Sequence, residues 1–183
     1  MSMATPLRMA AYHEAVLTAL RALPWVNSVE MYPETVTPVV TPAVFFSVDG
    51  WEMDNHSDGQ LRVTLSGSLW VLVDRAATSE IGRPEVYIRS AAADLTQWLD
   101  GQTFGLSMVE PAVFLSADVD ETDPQWDDYW VWQVSFTQRV ALGADPFATD
   151  NLPLQRVWLG IAPDIGAQHV ADYHLIYEGK SRE

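Results

Sequence analysis

Apolar positions along this chain repeat with two different periods, and the changes of period divide it into elements. Met9, Tyr12, Val16, Leu20 and Leu23 recur at three- and four-residue spacing, which predicts an amphipathic helix. Thr5 as N-cap and Pro6 at the first helical position would start it, and Pro24 would stop it. Pro33, Pro38 and Pro42, with Val36, Val39 and Val40 between them, predict an extended connector or an edge strand, since proline cannot donate to a central ladder. Residues 43–53 alternate weakly and predict a strand, and the polar run 54–59 predicts a turn. Residues 60–74 alternate most clearly. Leu61, Val63, Leu65, Leu69, Val71 and Val73 take one face, while Arg62, Thr64, Ser66 and Ser68 take the other. The two strands form a hairpin with one buried face, and Gly67 marks a bulge or bend.

The helical period returns over 85–99, where Ile88, Ala91, Ala92, Leu95, Trp98 and Leu99 point inward and Gly101 is the stop. A short strand over 112–117, an acidic loop over 118–128 and a long strand over 129–142 follow. Trp130, Trp132, Val134 and Phe136 share one face of that last strand, opposite Gln133, Ser135 and Thr137. Leu65, Val71, Leu95, Trp98, Trp132 and Val134 should meet in one core. The expected fold is α+β: a two-layer domain over 1–147, with two helices on one face of a mostly antiparallel sheet. Residues 148–183 lack a sustained period and read as an arm, with a last strand over 170–177.

Composition narrows the chemistry. The 183 residues are 48% hydrophobic, enough for a real core. Cysteine is absent, which removes disulfides, thiolate catalysis and Cys-ligated metals. No apolar run is long enough to span a bilayer, and the N-terminus lacks a basic-then-apolar leader, so synthesis in the cytoplasm is expected. Twenty-five acids against ten bases give a net charge of −15. Such a surface repels phosphate, whose affinity comes from Lys and Arg. The charge serves either solubility or a specific electrostatic role.

No catalytic constellation emerges. Asp118, Asp120, Glu121, Asp123, Asp127 and Asp128 lack the Asp-x-Asp-x-Asp-Gly core of a calcium loop, so a solvated acidic loop is the better reading. No two carboxylates stand apart in an apolar setting, as glycoside hydrolysis would need. His169 and His174 are five apart, His13 lies on the first helix and His56 in a turn, which is no metal spacing. Ser66-Gly67-Ser68 lacks the flanks of a nucleophile elbow, and no glycine loop cradles phosphate. Trp51, Trp70, Trp126, Trp130 and Trp132 could stack on sugars or bases, but Trp130 and Trp132 follow a core pattern. Trp70 points with the polar residues of its strand, where an aromatic more often meets a partner subunit than water.

The order of elements resembles the tail terminator, or tail-completion, proteins of long-tailed bacteriophages, including those of Mu-like phages. The resemblance rests on the helix ending near Pro24-Trp25-Val26 and on Thr41-Pro42-Ala43-Val44 leading into 47–52. It continues through the strand 61–73, the helix 89–100 and the strand 130–140 closing at Leu142-Gly143, covering 5–147. It implies a non-enzymatic virion protein without cofactor or metal. Such a protein forms a hexameric ring at the head-proximal end of the tail, halts tube growth, and contacts the tail tube protein and a neck or connector protein while genome DNA passes through. Trp70, Trp51, Arg62 and Trp158 are the candidate subunit or partner contacts, and the acids of 118–128 the candidate lumen or rim. The alternatives are another neck or connector subunit, a carbohydrate-binding module, and a carboxylate hydrolase.

Overall fold

Helix α1 (Met9–Arg21) and the short strand β1 (Ser28–Met31) open the described chain in the computed structural model. Strands β2 (Ala43–Met53) and β3 (Leu61–Asp74), helix α2 (Pro84–Leu99), and strands β4 (Val113–Val119) and β5 (Tyr129–Leu142) complete the first unit. The structure describes residues 7–33, 38–54, 59–76, 82–120, 124–142 and 155–179. The chain divides into two compact units, Met1–Pro146 and Phe147–Glu183. Neither described helix is long and apolar enough to cross a membrane.

The first unit is α+β, a five-stranded sheet in the order β1-β2-β3-β5-β4. Only the β1–β2 pair is parallel. The long alternating segments pair over their whole length, from Leu61 opposite Leu142 to Asp74 opposite Tyr129. Odd residues of β3 and even residues of β5 therefore share a face, and both helices cover it. Tyr12, Val16 and Leu20 of α1 and Ile88, Ala92, Leu95 and Leu99 of α2 are buried there against Leu65, Leu69, Val71, Val134 and Phe136. Trp98 and Trp132, expected inside this core, are only partly buried at its margin.

A polar group sits inside the apolar layer. Gln138 shares the face of Phe136 and is fully buried, where an unpaired amide would be costly. Its three partners come from two segments. Tyr12 donates its hydroxyl proton to Oε1 at 2.6 Å, and Nε2 donates to the carbonyls of Gln102 at 2.8 Å and Glu110 at 2.7 Å. One side chain thus ties α1 and the 100–112 loop to β5.

Several expectations change. The first helix begins at Met9, and Thr5 and Pro6 lie outside the described residues. The edge strand is β1, upstream of the proline-rich stretch: it stops just before Pro33, whose missing N–H prevents it from continuing the ladder. Residues 38–40 form no strand, and Val36 lies outside the described residues. The bulge lies on β2, where the register shifts between Val48 and Gly50. Gly67, opposite it, keeps regular pairing and makes room for Phe136, whose Cζ stands 2.6 Å from where a Cβ would be.

The second unit contains β6 (Arg156–Leu159), a 3-10 segment (Ala167–Asp172) and β7 (His174–Glu178). β6 and β7 pair antiparallel, and Arg156 bridges Glu178 at 2.8 Å. The expected strand over 170–177 is thus later and shorter, because the 3-10 segment occupies its first part.

Candidate assembly surface

Trp70 occupies the face expected of it, but the premise that it is exposed is corrected. Its relative exposure is 8%. Cross-strand rows explain why. Phe45, Trp70 and Gln133 lie side by side, as do Ala43, Leu72 and Val131, so apolar residues gather at one end of the otherwise polar face. Trp126 and Tyr32 close over them, with the Tyr32 ring 4.3 Å from that of Trp70. Trp126 donates its indole N–H to the Tyr32 hydroxyl at 2.9 Å, and Trp70 donates its own to Asp120 at 3.2 Å. The sheet is therefore buried on both faces at this end.

The other candidate contacts scatter. Arg62 shares the Trp70 face but sits at the opposite end of β3. There it pairs with Glu110 at 3.5 Å, while Arg139 reaches Asp54 at 3.3 Å and Glu110 at 3.8 Å. Trp51 lies on β2 opposite Leu65, hence on the helix-covered face, yet it is 58% exposed because it stands beyond the covered part. Trp158 belongs to the second unit and is 51% exposed.

The acids of 118–128 do not form one loop. Asp118 is in β4 opposite Gln133, Asp120 holds Trp70, and Asp127 and Asp128 follow the Pro124–Trp126 turn. Glu121 and Asp123 lie outside the described residues, as does His56. Among the described residues no three Asp, Glu or His side chains gather as a metal site would require. His13 contacts the Met9 carbonyl at 2.8 Å, and His169 contacts Asp172 at 3.0 Å. Burial pushes the Tyr12 hydroxyl well above the ordinary tyrosine range, which suits its role as donor to Gln138.

Two surfaces were not foreseen. The first is the pair of sheet edges. β1 covers β2 only as far as Phe46, so among the described residues no strand pairs with the outer side of Ser47–Met53. At the opposite edge, Asp100 accepts from the Phe114 amide, and β4 beyond it presents exposed Leu115 and Val119. The second is a cleft of about 150 Å³ between α2, β4 and β5, lined by Glu85, Ile88, Arg89, Val119, Trp130 and Trp132. Arg75 lies 4.6 Å over the Trp130 ring. The alternation of β5 suggests wholly buried tryptophans. β4 ends at Val119, opposite Trp132, and the start of α2 lines the cleft beside them, an arrangement that no periodicity reports.

Neither a family model nor a curated protein matches this chain. Among solved structures, it is similar to a chain from the virion of a native gene transfer agent particle. The TM-score is 0.49 at 20% identity, over 70% of this chain and 92% of that one.

Proposed function

We propose that this protein is a structural subunit of a virion. More finely, it is a ring-forming tail terminator that ends growth of the tail tube and joins it to the neck. The observation that carries the assembly reading is the second unit. Among its described residues none is buried, and Trp158, Leu159, Ile161, Val170, Ile176 and Tyr177 are exposed. A two-stranded hairpin with no core of its own is marginal in water. Apolar surface of this kind marks a contact with another protein.

Charge points the same way. Residues 147–183 hold five acids and three bases, a net −2, leaving −13 of the total −15 to residues 1–146. The nearly neutral arm is where strongly acidic copies can touch with least repulsion. The acidic remainder suits a channel wall, since DNA phosphates find few cations to bind. The phage assignment itself comes from the ordered elements of 5–147 described above.

The test combines particle mass in solution, with and without tail tube protein, and tail length in particles made without this protein. A terminator forms a ring that caps tubes, and its loss gives overlong tails. Normal tail length without it would transfer the role to another neck or connector subunit.

A further inference from the structure

We propose that the cleft between α2, β4 and β5 is a docking site for an acidic peptide segment of another protein, one that carries an apolar side chain among its carboxylates. The proposal goes beyond the virion reading and stands without the ring.

The cleft combines an apolar lining with a basic rim. Ile88, Val119, Trp130 and Trp132 supply the lining, and the volume of about 150 Å³ suffices for a benzene-sized group. Trp130 and Trp132 are only partly buried, so ring surface remains for an incoming side chain to cover. Arg89 is among the lining residues, Arg75 stands 4.6 Å over the Trp130 ring, and Arg83 is the N-cap residue of α2. All three arginines are exposed.

Charge names the occupant. Elsewhere Arg21 pairs with Glu14, Arg62 with Glu110, Arg139 with Asp54 and Glu110, and Arg156 with Glu178. Among the described residues no carboxylate comes within ion-pair distance of Arg75, Arg83 or Arg89. Glu85 lines the cleft one helical turn before Arg89 without bridging it. Asp128 meets Arg75 through the backbone, its carbonyl accepting from the Arg75 amide at 3.0 Å. Asp118 and Asp120 belong to the other face, one opposite Gln133 and the other bonded to Trp70. A chain with twenty-five acids thus leaves three guanidinium groups around one apolar cleft open to carboxylates from elsewhere. Guanidinium holds carboxylate through paired N–H donors, and an apolar anchor seated between such contacts gives a peptide both affinity and register. Nucleic acid is anionic too, but a long polyanion must run on over a surface of net charge −15, whereas a short peptide ends within the basic rim.

The test uses the full chain labelled with 5-fluorotryptophan, whose fluorine signals report on each tryptophan separately. Trp51→Phe, Trp130→Phe, Trp132→Phe and Trp158→Phe variants assign the four signals needed. The probe is a synthetic peptide with one leucine flanked on each side by three Asp or Glu residues. The Trp130 and Trp132 signals should shift saturably, while those of Trp51 and Trp158, exposed elsewhere, stay in place. Arg89→Glu, at an exposed position, should keep the wild-type melting curve and weaken binding about tenfold or more. The same peptide with Asn and Gln for its acids, or with Gly for its leucine, should lose affinity to a similar degree. No saturable shift at Trp130 and Trp132, equal shifts at all four signals, or equal binding of the neutral peptide would each overturn the proposal. An oligothymidylate of matched charge that moves the same two signals at lower concentration would replace the peptide by nucleic acid. None of these outcomes bears on tail length or ring mass, so the virion reading stands or falls separately.

Discussion

Gly67 shows how one residue is dictated by a neighbour distant in sequence. The Phe136 ring lies over it, with Cζ and Cε1 at 2.6 and 2.8 Å from a would-be Cβ. Phe136 is itself buried, so the ring has little room to retreat. Gly67→Ala should cost about 1–3 kcal/mol through overpacking, read as a lower Tm. An unchanged Tm would mean the ring slides aside. Trp70→Ala removes the centre of the second cluster and should cost about 3–5 kcal/mol. Trp132→Ala, at the core margin, should cost less, and the reverse order in a thermal scan would contradict the burial of the two rings. Tyr12 gives a pH prediction. Its folded-state pKa is raised, so the unfolded chain releases this proton first. Its contribution is fully present below about pH 10, the ordinary tyrosine value, and is lost as pH rises above it. Tyr12→Phe should flatten that alkaline loss. It should also cost about 1–3 kcal/mol at neutral pH, because Gln138 Oε1 loses its donor.

At the scale of elements, periodicity located both helices and the long strands. It did so because a face buried along most of an element leaves its period in the sequence: β3 and β5, fourteen residues each, bury most of one side. Three features left no such trace. β1 is four residues long, too short to show a period, and is held by Asn27, which donates to the carbonyls of Pro42 and Thr41 at 2.8 and 2.7 Å. The second cluster covers only part of a face, so the serines and arginine earlier on β3 set the apparent pattern and hid Trp70 and Leu72. Trp130 and Trp132 alternate like core residues, yet their exposure depends on how far α2 and β4 extend beside them. The candidate contacts were therefore legible as residue types and not as one surface. Trp51 was found on an open edge, Trp70 inside, Arg62 at the far end and Trp158 on the other unit.

At the scale of the whole molecule, both apolar clusters are built from residues of the first unit. A chain ending at Pro146 should therefore melt cooperatively near the wild-type temperature, while losing whatever contacts the second unit makes with other proteins. A broad, non-cooperative melt would show that the second unit completes the core. Charge then decides how intact copies respond to salt. Two opposed terms act when copies meet: attraction between single oppositely charged surface groups, and repulsion between bodies of net charge −15 each. The first involves a few exposed groups, worth little in water. The second sums over the excess of twenty-five acids against ten bases. Salt screens both beyond about 8–10 Å near physiological strength. The net effect of added salt is thus to favour assembly, with the exposed apolar residues of the second unit supplying the attraction that survives. Light scattering or sedimentation should show the assembly midpoint moving to lower protein concentration as salt rises. Dissociation with rising salt would mean that ion pairs hold the copies together, and the apolar contacts argued here would not be the main source of affinity.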